Sequence, residues 1–197
     1  MFKILCISFG LLFASPDPEP WTLKKQENNI SVFTRSLPGK SFKEYKAVTK
    51  IQCSLESVLD ELLTAPQYSA EFMPGISYSI KEEDRKHLFY AYQDLPWPLR
   101  DRDVVSQLTV EMLSKDTYKL TISGAPEALP EKEKALRIHD LTGFWLLERD
   151  GTTIKVTQQL YVDPEGSLPA IIVNGLLVDG PFKTFLQLRQ KLDEQAN

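Results

Sequence analysis

The side chains that could do covalent or acid–base chemistry are few and scattered. Two histidines are present. His87 and His139 each sit in a strand-like alternation beside a charged neighbour, Lys86 and Arg137, which reads as a surface position rather than an acid–base centre. No Gly-x-Ser-x-Gly elbow, His-Glu-x-x-His pair or glycine-rich phosphate loop occurs. Glu82, Glu83 and Asp84 fall in a hairpin turn and read as a solvated rim. Cys6 and Cys53 without a histidine cluster cannot form a Cys/His zinc site, and Cys53 reads as a small buried apolar residue. No metal and no cofactor are expected.

The remaining candidates suit non-covalent recognition. Ser106 and Gln158 are polar positions in otherwise apolar alternations. Each either hydrogen-bonds a ligand's polar head or bonds internally to neighbouring backbone. Arg102 has two readings as well. Its fork of donors suits an anionic head, or it pins the Trp97 loop by pairing with Asp94, Asp101 or Asp103. Tyr90 and Tyr92 offer aromatic walls with polar tips.

These residues need a scaffold, and hydrophobic periodicity supplies one. The segments 21–25, 30–35 and 42–51 alternate as strands, with Asn28-Asn29 as a tight turn. Ser54 caps a helix whose apolar stripe is Leu55, Val58, Leu59, Leu62 and Leu63, stopped by Pro66. Six strands follow, paired as hairpins: 76–81 with 86–93, 104–113 with 117–123, and 136–148 with 153–163 across Asp150-Gly151. The last segment, 168–194, reads as a long helix. Its first half is apolar on almost every side, and Gly180-Pro181 is expected to kink or split it, with Asp179 recapping the second half. Strands segregated from helices argue an α+β fold, a curved antiparallel sheet covered by the C-terminal helix.

Composition narrows the partners. A net charge of −4 with no isolated basic cluster excludes the counterion-releasing face a nucleic-acid binder needs. A polybasic run for charge-driven lipid docking is also missing. The N-terminus has an early lysine, an apolar run from Ile4 to Ala14 and then Ser15-Pro16, the layout of a secretory signal and too short to span a bilayer. The expectation is a signal peptide over residues 1–15, one domain over 16–197, and an exported, periplasmic or secreted protein.

Two stretches carry a family resemblance. Leu95-Pro96-Trp97-Pro98-Leu99-Arg100-Asp101-Arg102-Asp103-Val104 precedes a long strand, and Asp163-Pro164-Glu165-Gly166-Ser167-Leu168-Pro169-Ala170 leads into the C-terminal helix. Both resemble the START (StAR-related lipid transfer) family, of the bacterial secreted type within the helix-grip superfamily. The resemblance spans roughly Trp21 to Asp193 in element order. It implies a helix-grip fold with an internal apolar cavity, no cofactor, and binding or transfer of one lipid or other apolar small molecule. Sterol-binding members place a buried arginine a few residues beyond the Arg-Asp arginine. Leu108 stands there in this chain, which argues against a sterol-type ion pair.

The expected lining is Leu108, Val110, Leu120, Ile122, Leu146, Val156 and Leu160 from the sheet. The helix side contributes Ile171, Ile172, Leu176 and Val178, and Tyr90, Tyr92, Trp97, Arg102, Ser106 and Gln158 complete the set. The segment 168–178 is expected to act as a lid. The protein is expected to work as a monomer, with transient membrane contact and no nucleic acid. Two rival readings stand beside this one: a helix-grip enzyme of the polyketide cyclase/aromatase kind, and a cavity-free scaffold.

Overall fold

The computed structural model describes residues 18–64, 75–83, 85–169, 172–173 and 175–195. The expected signal segment, the Pro66 helix stop, the stretch that follows it and Ile171 lie outside the described residues. So does the side chain of Leu176.

Ten strands form one sheet among the described residues: β1 Thr22–Glu27, β2 Ile30–Ser36, β3 Lys43–Ile51, β4 Gly75–Glu83, β5 Lys86–Gln93, β6 Asp101–Ser114, β7 Thr117–Gly124, β8 Ala135–Ile138, β9 Leu141–Asp150 and β10 Thr153–Val162. Helix α1, Leu55–Thr64, separates β3 from β4, and α2, Gly180–Gln195, closes the chain. The spatial order is β1-β2-β3-β10-β9-β7-β6-β5-β4. All neighbours on that path are antiparallel, while β8 runs parallel to β6 off the path.

Local chemistry explains the turns. Asn28 and Asn29 both take positive φ, 50° and 57°, as the two-residue β1–β2 hairpin requires. Gly151 does the same at 63° between β9 and β10. Ser54 caps α1, accepting from the Ser57 N–H at 3.0 Å.

One face of the sheet is apolar and holds the helices. Ile30 and Val32 of β2, Ala47 and Ile51 of β3, Leu147 of β9, and Ile154 and Val156 of β10 are almost completely buried there. Leu55 and Val58 of α1 and Phe185, Leu188 and Leu192 of α2 complete this filled region. Each such side chain contributes about 1.5–3 kcal/mol relative to exposure.

Three expectations change. The single strand 136–148 is split at His139-Asp140, because β8 pairs with β6 whereas β9 pairs with β7 and β10. The break is held by the Asp163 N–H donating to the Asp140 carbonyl at 2.9 Å. The C-terminal helix does not divide at Gly180-Pro181. A π-helical turn, Gly175–Asp179, widens the backbone just before α2, where the missing N–H of Pro181 removes a hydrogen bond. Asp179 pairs with Lys25 of β1 at 3.4 Å. His87, read as a surface residue, is buried and stacked on Phe89 with ring centroids 6.3 Å apart.

Candidate functional site

A cavity of about 360 Å³ lies between the sheet and the start of the C-terminal helical segment. Its sheet wall is built from Phe89, Ala91 and Gln93 of β5, Arg102, Val104, Ser106 and Leu108 of β6, and Gln158, Leu160 and Val162 of β10. Tyr45, Leu62 and Trp145 bound it on the side of the filled core. The helical side is Leu168, Val173, Leu177, Gly180, Pro181 and Thr184.

Register explains why these residues share a wall. Cross-strand partners point to the same face of a sheet. Phe89 opposes Ser106, Ala91 opposes Val104 and Gln93 opposes Arg102, so this set faces inward together. Tyr90 opposes Val105 and Tyr92 opposes Asp103, so both tyrosines stand on the outer face. The expectation of tyrosine walls is therefore corrected by one residue of parity. The same parity removes Leu146, which opposes Thr157 on the outer face while Trp145 points in.

Other expected lining residues belong to the solid part of the molecule. Leu120, Ile122 and Val156 are buried in the filled core, and Val110 packs against it. Val178 packs against the same core, and Ile172 is half-buried outside the lining. Val173 and Leu177, one helical turn apart, take the wall position instead. Trp97 lines nothing: it is 91% exposed on the loop between β5 and β6. Arg102, Ser106, Leu108, Gln158 and Leu160 do line the cavity.

Sequence reasoning missed Phe89, Trp145 and Tyr45. In β9 the run Phe144-Trp145-Leu146-Leu147 hides its own parity, because every position is bulky and apolar. The signal that would have resolved it is Gly143. A Cβ there would lie 2.2 Å from the Gln159 carbonyl oxygen and 2.8 Å from Leu160 Cδ1, so Gly143 faces Leu160 across the β9–β10 pair.

Arg102 is buried, and its guanidinium is committed to backbone. Nε donates to the Pro164 carbonyl at 3.0 Å and Nη2 to the Glu165 carbonyl at 2.8 Å, while Nη1 donates to the Arg100 carbonyl. It thus ties the segment leading to the C-terminal helix onto β6. The expected pairing with Asp94, Asp101 or Asp103 is not how it is held: among the described residues no carboxylate lies within ion-pair distance. Burial, and then the nearby Arg100 charge, lower its pKa from the ordinary arginine value.

Asp103 pairs with Arg137 of β8, Nε to Oδ1 and Nη2 to Oδ2 both at 2.9 Å, with both side chains fully buried. Arg137 also donates to the carbonyls of Leu129 at 2.9 Å and Pro130 at 3.0 Å, clamping the 126–130 segment over the outer face. Tyr90 donates to Asp103 at 3.3 Å beneath this cover. Asp101 organises the neighbouring loop, accepting from the Tyr92 hydroxyl and from the Leu95 N–H at 3.0 Å. The hydrogen bond to Asp101 pushes the Tyr92 pKa up to about 12 and holds Asp101 below the usual carboxylate range.

The comparisons place this architecture. No protein-family model matches the sequence. The STAR-related lipid transfer protein of Xanthomonas axonopodis superposes with a TM-score of 0.76 at 27% identity, covering 89% of this chain and 99% of that one. The fold is that of a START domain. Human StAR-related lipid transfer protein 5 shares it with a TM-score of 0.70 at 18% identity, over 90% of this chain and 88% of its own. An aromatase/cyclase from Streptomyces reaches 0.50 at 11% identity, over 78% of this chain and 95% of its own, a likeness of the helix-grip fold alone. Among curated proteins, an uncharacterized protein of Pseudomonas aeruginosa is 29% identical over 180 residues, 90% of this chain and 89% of the relative.

Proposed function

We propose that this START-type protein binds one small apolar or single-tailed lipid molecule in the cavity and passes it on without covalent chemistry. The observation that supports this is the cavity itself. Its volume falls at the low end of the roughly 300–1,000 Å³ range of small-molecule sites, and its wall is mostly aliphatic and aromatic. Such a wall draws affinity from removing apolar surface from water, about 25 cal/mol per Å². Among the described lining residues Asp103 alone is acidic, and its carboxylate stands on the outer face of β6 with both oxygens held by Arg137. A general acid or base facing the ligand would require a different wall, so we read the protein as a carrier rather than an enzyme.

Exchange at a membrane belongs to the same proposal, as does monomeric action. Trp97 sits two residues from Leu95, which lines the cavity, and is flanked by two prolines. An exposed tryptophan suits the membrane–water interface, where its ring is apolar and its N–H stays wet. The described residues of 168–178 would loosen to admit ligand, and residues 1–15 would direct export and then be removed. The deciding experiment is native mass spectrometry of the protein purified from its own source, with extraction and identification of bound molecules. Protein that emerges at its bare mass and takes up no apolar probe would end the carrier reading.

A further inference from the structure

Gln158 is buried in the cavity wall, between the aliphatic positions Val156 and Leu160 on the same face of β10. The Tyr45 hydroxyl donates to its Oε1 at 2.9 Å. That bond uses one half of the carboxamide and fixes its orientation. The other half, Nε2 with two N–H donors, has no protein acceptor among the described residues. Gln158 is a lining residue and its Nε2 is not among the sealed, partnerless atoms, so these donors open onto the cavity, where a ligand oxygen can reach them.

Position sharpens the argument. Gln158 opposes Trp145, Trp145 opposes Leu120, and Leu120 opposes Val110. Arg102 lies earlier on β6, at the end that carries Gln93 and the Trp97 loop. Gln158 therefore stands at the inner end of the cavity, beside Trp145, whose ring stacks on Phe185 with centroids 5.4 Å apart. The Tyr45 oxygen keeps lone pairs of its own, and burial raises the pKa of this phenol well above its ordinary value, so it stays a neutral hydroxyl.

Resting on the carrier reading above, we propose that Gln158, oriented by Tyr45, recognises an oxygen atom of the ligand. The ligand class is a neutral oxygenated apolar molecule, a long-chain ketone, ester or alcohol, that enters oxygen first and leaves its hydrocarbon toward Leu108, Leu160 and Leu177. A carbonyl oxygen accepts from Nε2. A hydroxyl can also donate to the Tyr45 oxygen. Pure hydrocarbon fits the same wall but leaves the amide unpaired.

The test uses displacement of the neutral dye N-phenylnaphthylamine by decyl methyl ketone and by dodecane. The variants are Gln158→Met and the double variant Tyr45→Phe/Gln158→Leu. Replacing both partners by apolar groups of similar shape leaves no stranded polar atom, so the double variant is the one expected to keep its fold. Ketone affinity should fall about tenfold in both variants, the loss of one buried hydrogen bond, while dodecane affinity stays level or rises. Comparing each ligand with itself across variants cancels its hydration. Equal effects on ketone and dodecane, or none on the ketone, overturn the recognition of oxygen and leave the carrier reading intact. Wild-type protein that binds neither probe overturns both.

Discussion

Replacing Arg102 by methionine separates the two roles open to this residue. The side chain keeps an apolar stem of similar length but loses the donors that hold the carbonyls of Arg100, Pro164 and Glu165. A hydrogen bond to a charged group contributes about 1.5–3 kcal/mol. Two of the acceptors lie in a connecting segment that can turn to water once released, so the bonds do not sum in full, and a net loss of about 3 kcal/mol is expected. For a domain of this size each kcal/mol shifts the melting temperature by roughly 2–4 °C, so Arg102→Met should melt about 6–12 °C lower. Circular dichroism melts read the shift. Hydrogen exchange at residues 163–169 should accelerate, because the tie to β6 is gone. Arg102→Lys should recover little, since one ammonium cannot reproduce a planar fork spread over three carbonyls. A variant that melts like the wild type, exchanges 163–169 no faster, and yet loses affinity for an anionic amphiphile would refute the structural role and make Arg102 a headgroup receptor.

Three further outcomes follow from the geometry. Asp103→Leu strands the buried Arg137 guanidinium and should cost about 3–5 kcal/mol in urea denaturation. Adding Arg137→Met should recover part of that loss, and strictly additive effects would argue against a coupled pair. Burial, with the Asp193 charge second, pushes the Cys53 thiol up to about 11. A folded pKa above the unfolded value near 8.5 means that this contribution to stability is complete below pH 8 and is lost as pH rises through about 11. Cys53→Ala should flatten the fall in stability between those limits, and native protein should reach half-maximal alkylation with iodoacetamide far above the midpoint in denaturant. Finally, Thr184→Phe should project a ring into the cavity, abolish dye binding and leave the melting temperature within a few degrees of wild type, because the space it enters is already empty. Dye binding unchanged in this variant would place the ligand elsewhere.

Element order was legible in the sequence because it depends on local signals: strand alternation, the Asn28-Asn29 and Asp150-Gly151 turns, the Ser54 cap. Much of the wall was not, because a one-residue choice of parity decides it. Along β10 the polar residues betray the outer face, so Gln158 and Leu160 were found. Along β5, Leu88-Phe89-Tyr90-Ala91-Tyr92 is apolar or aromatic at every step, and the choice between odd and even positions rests on what covers the outer face. That cover is the 126–130 segment held by Arg137. It allows Tyr90 and Val105 to be buried on the side away from the cavity, at 1% and 0% exposure. Burial alone therefore did not mark the inner face. Trp97 failed for a different reason: it entered the expected lining with the segment that resembles the START family, whereas the loop that carries it projects outward.

Why the core is solid at one end and hollow at the other can be read from the helix rather than the sheet. The side chains α2 turns toward the strands further along its length are Phe185, Leu188 and Leu192, all essentially inaccessible. At its start Phe182 packs into the core beside Lys25 of β1, while Gly180, Pro181 and Thr184 line the cavity. Gly180 and Thr184 are four apart and so lie on one face of the helix. A glycine and a threonine stand where the later turns place a phenylalanine and leucines. Gly143 deepens the effect by giving β9 no side chain at the position facing Leu160. Native cores pack to crystal-like density, and a void costs the contacts its lining forgoes. Small side chains at Gly180 and Thr184, where larger ones would stabilise the fold, are thus a standing loss that a molecule bound in the cavity would recover, and they explain why the hollow lies at the Gly180 end of the helix.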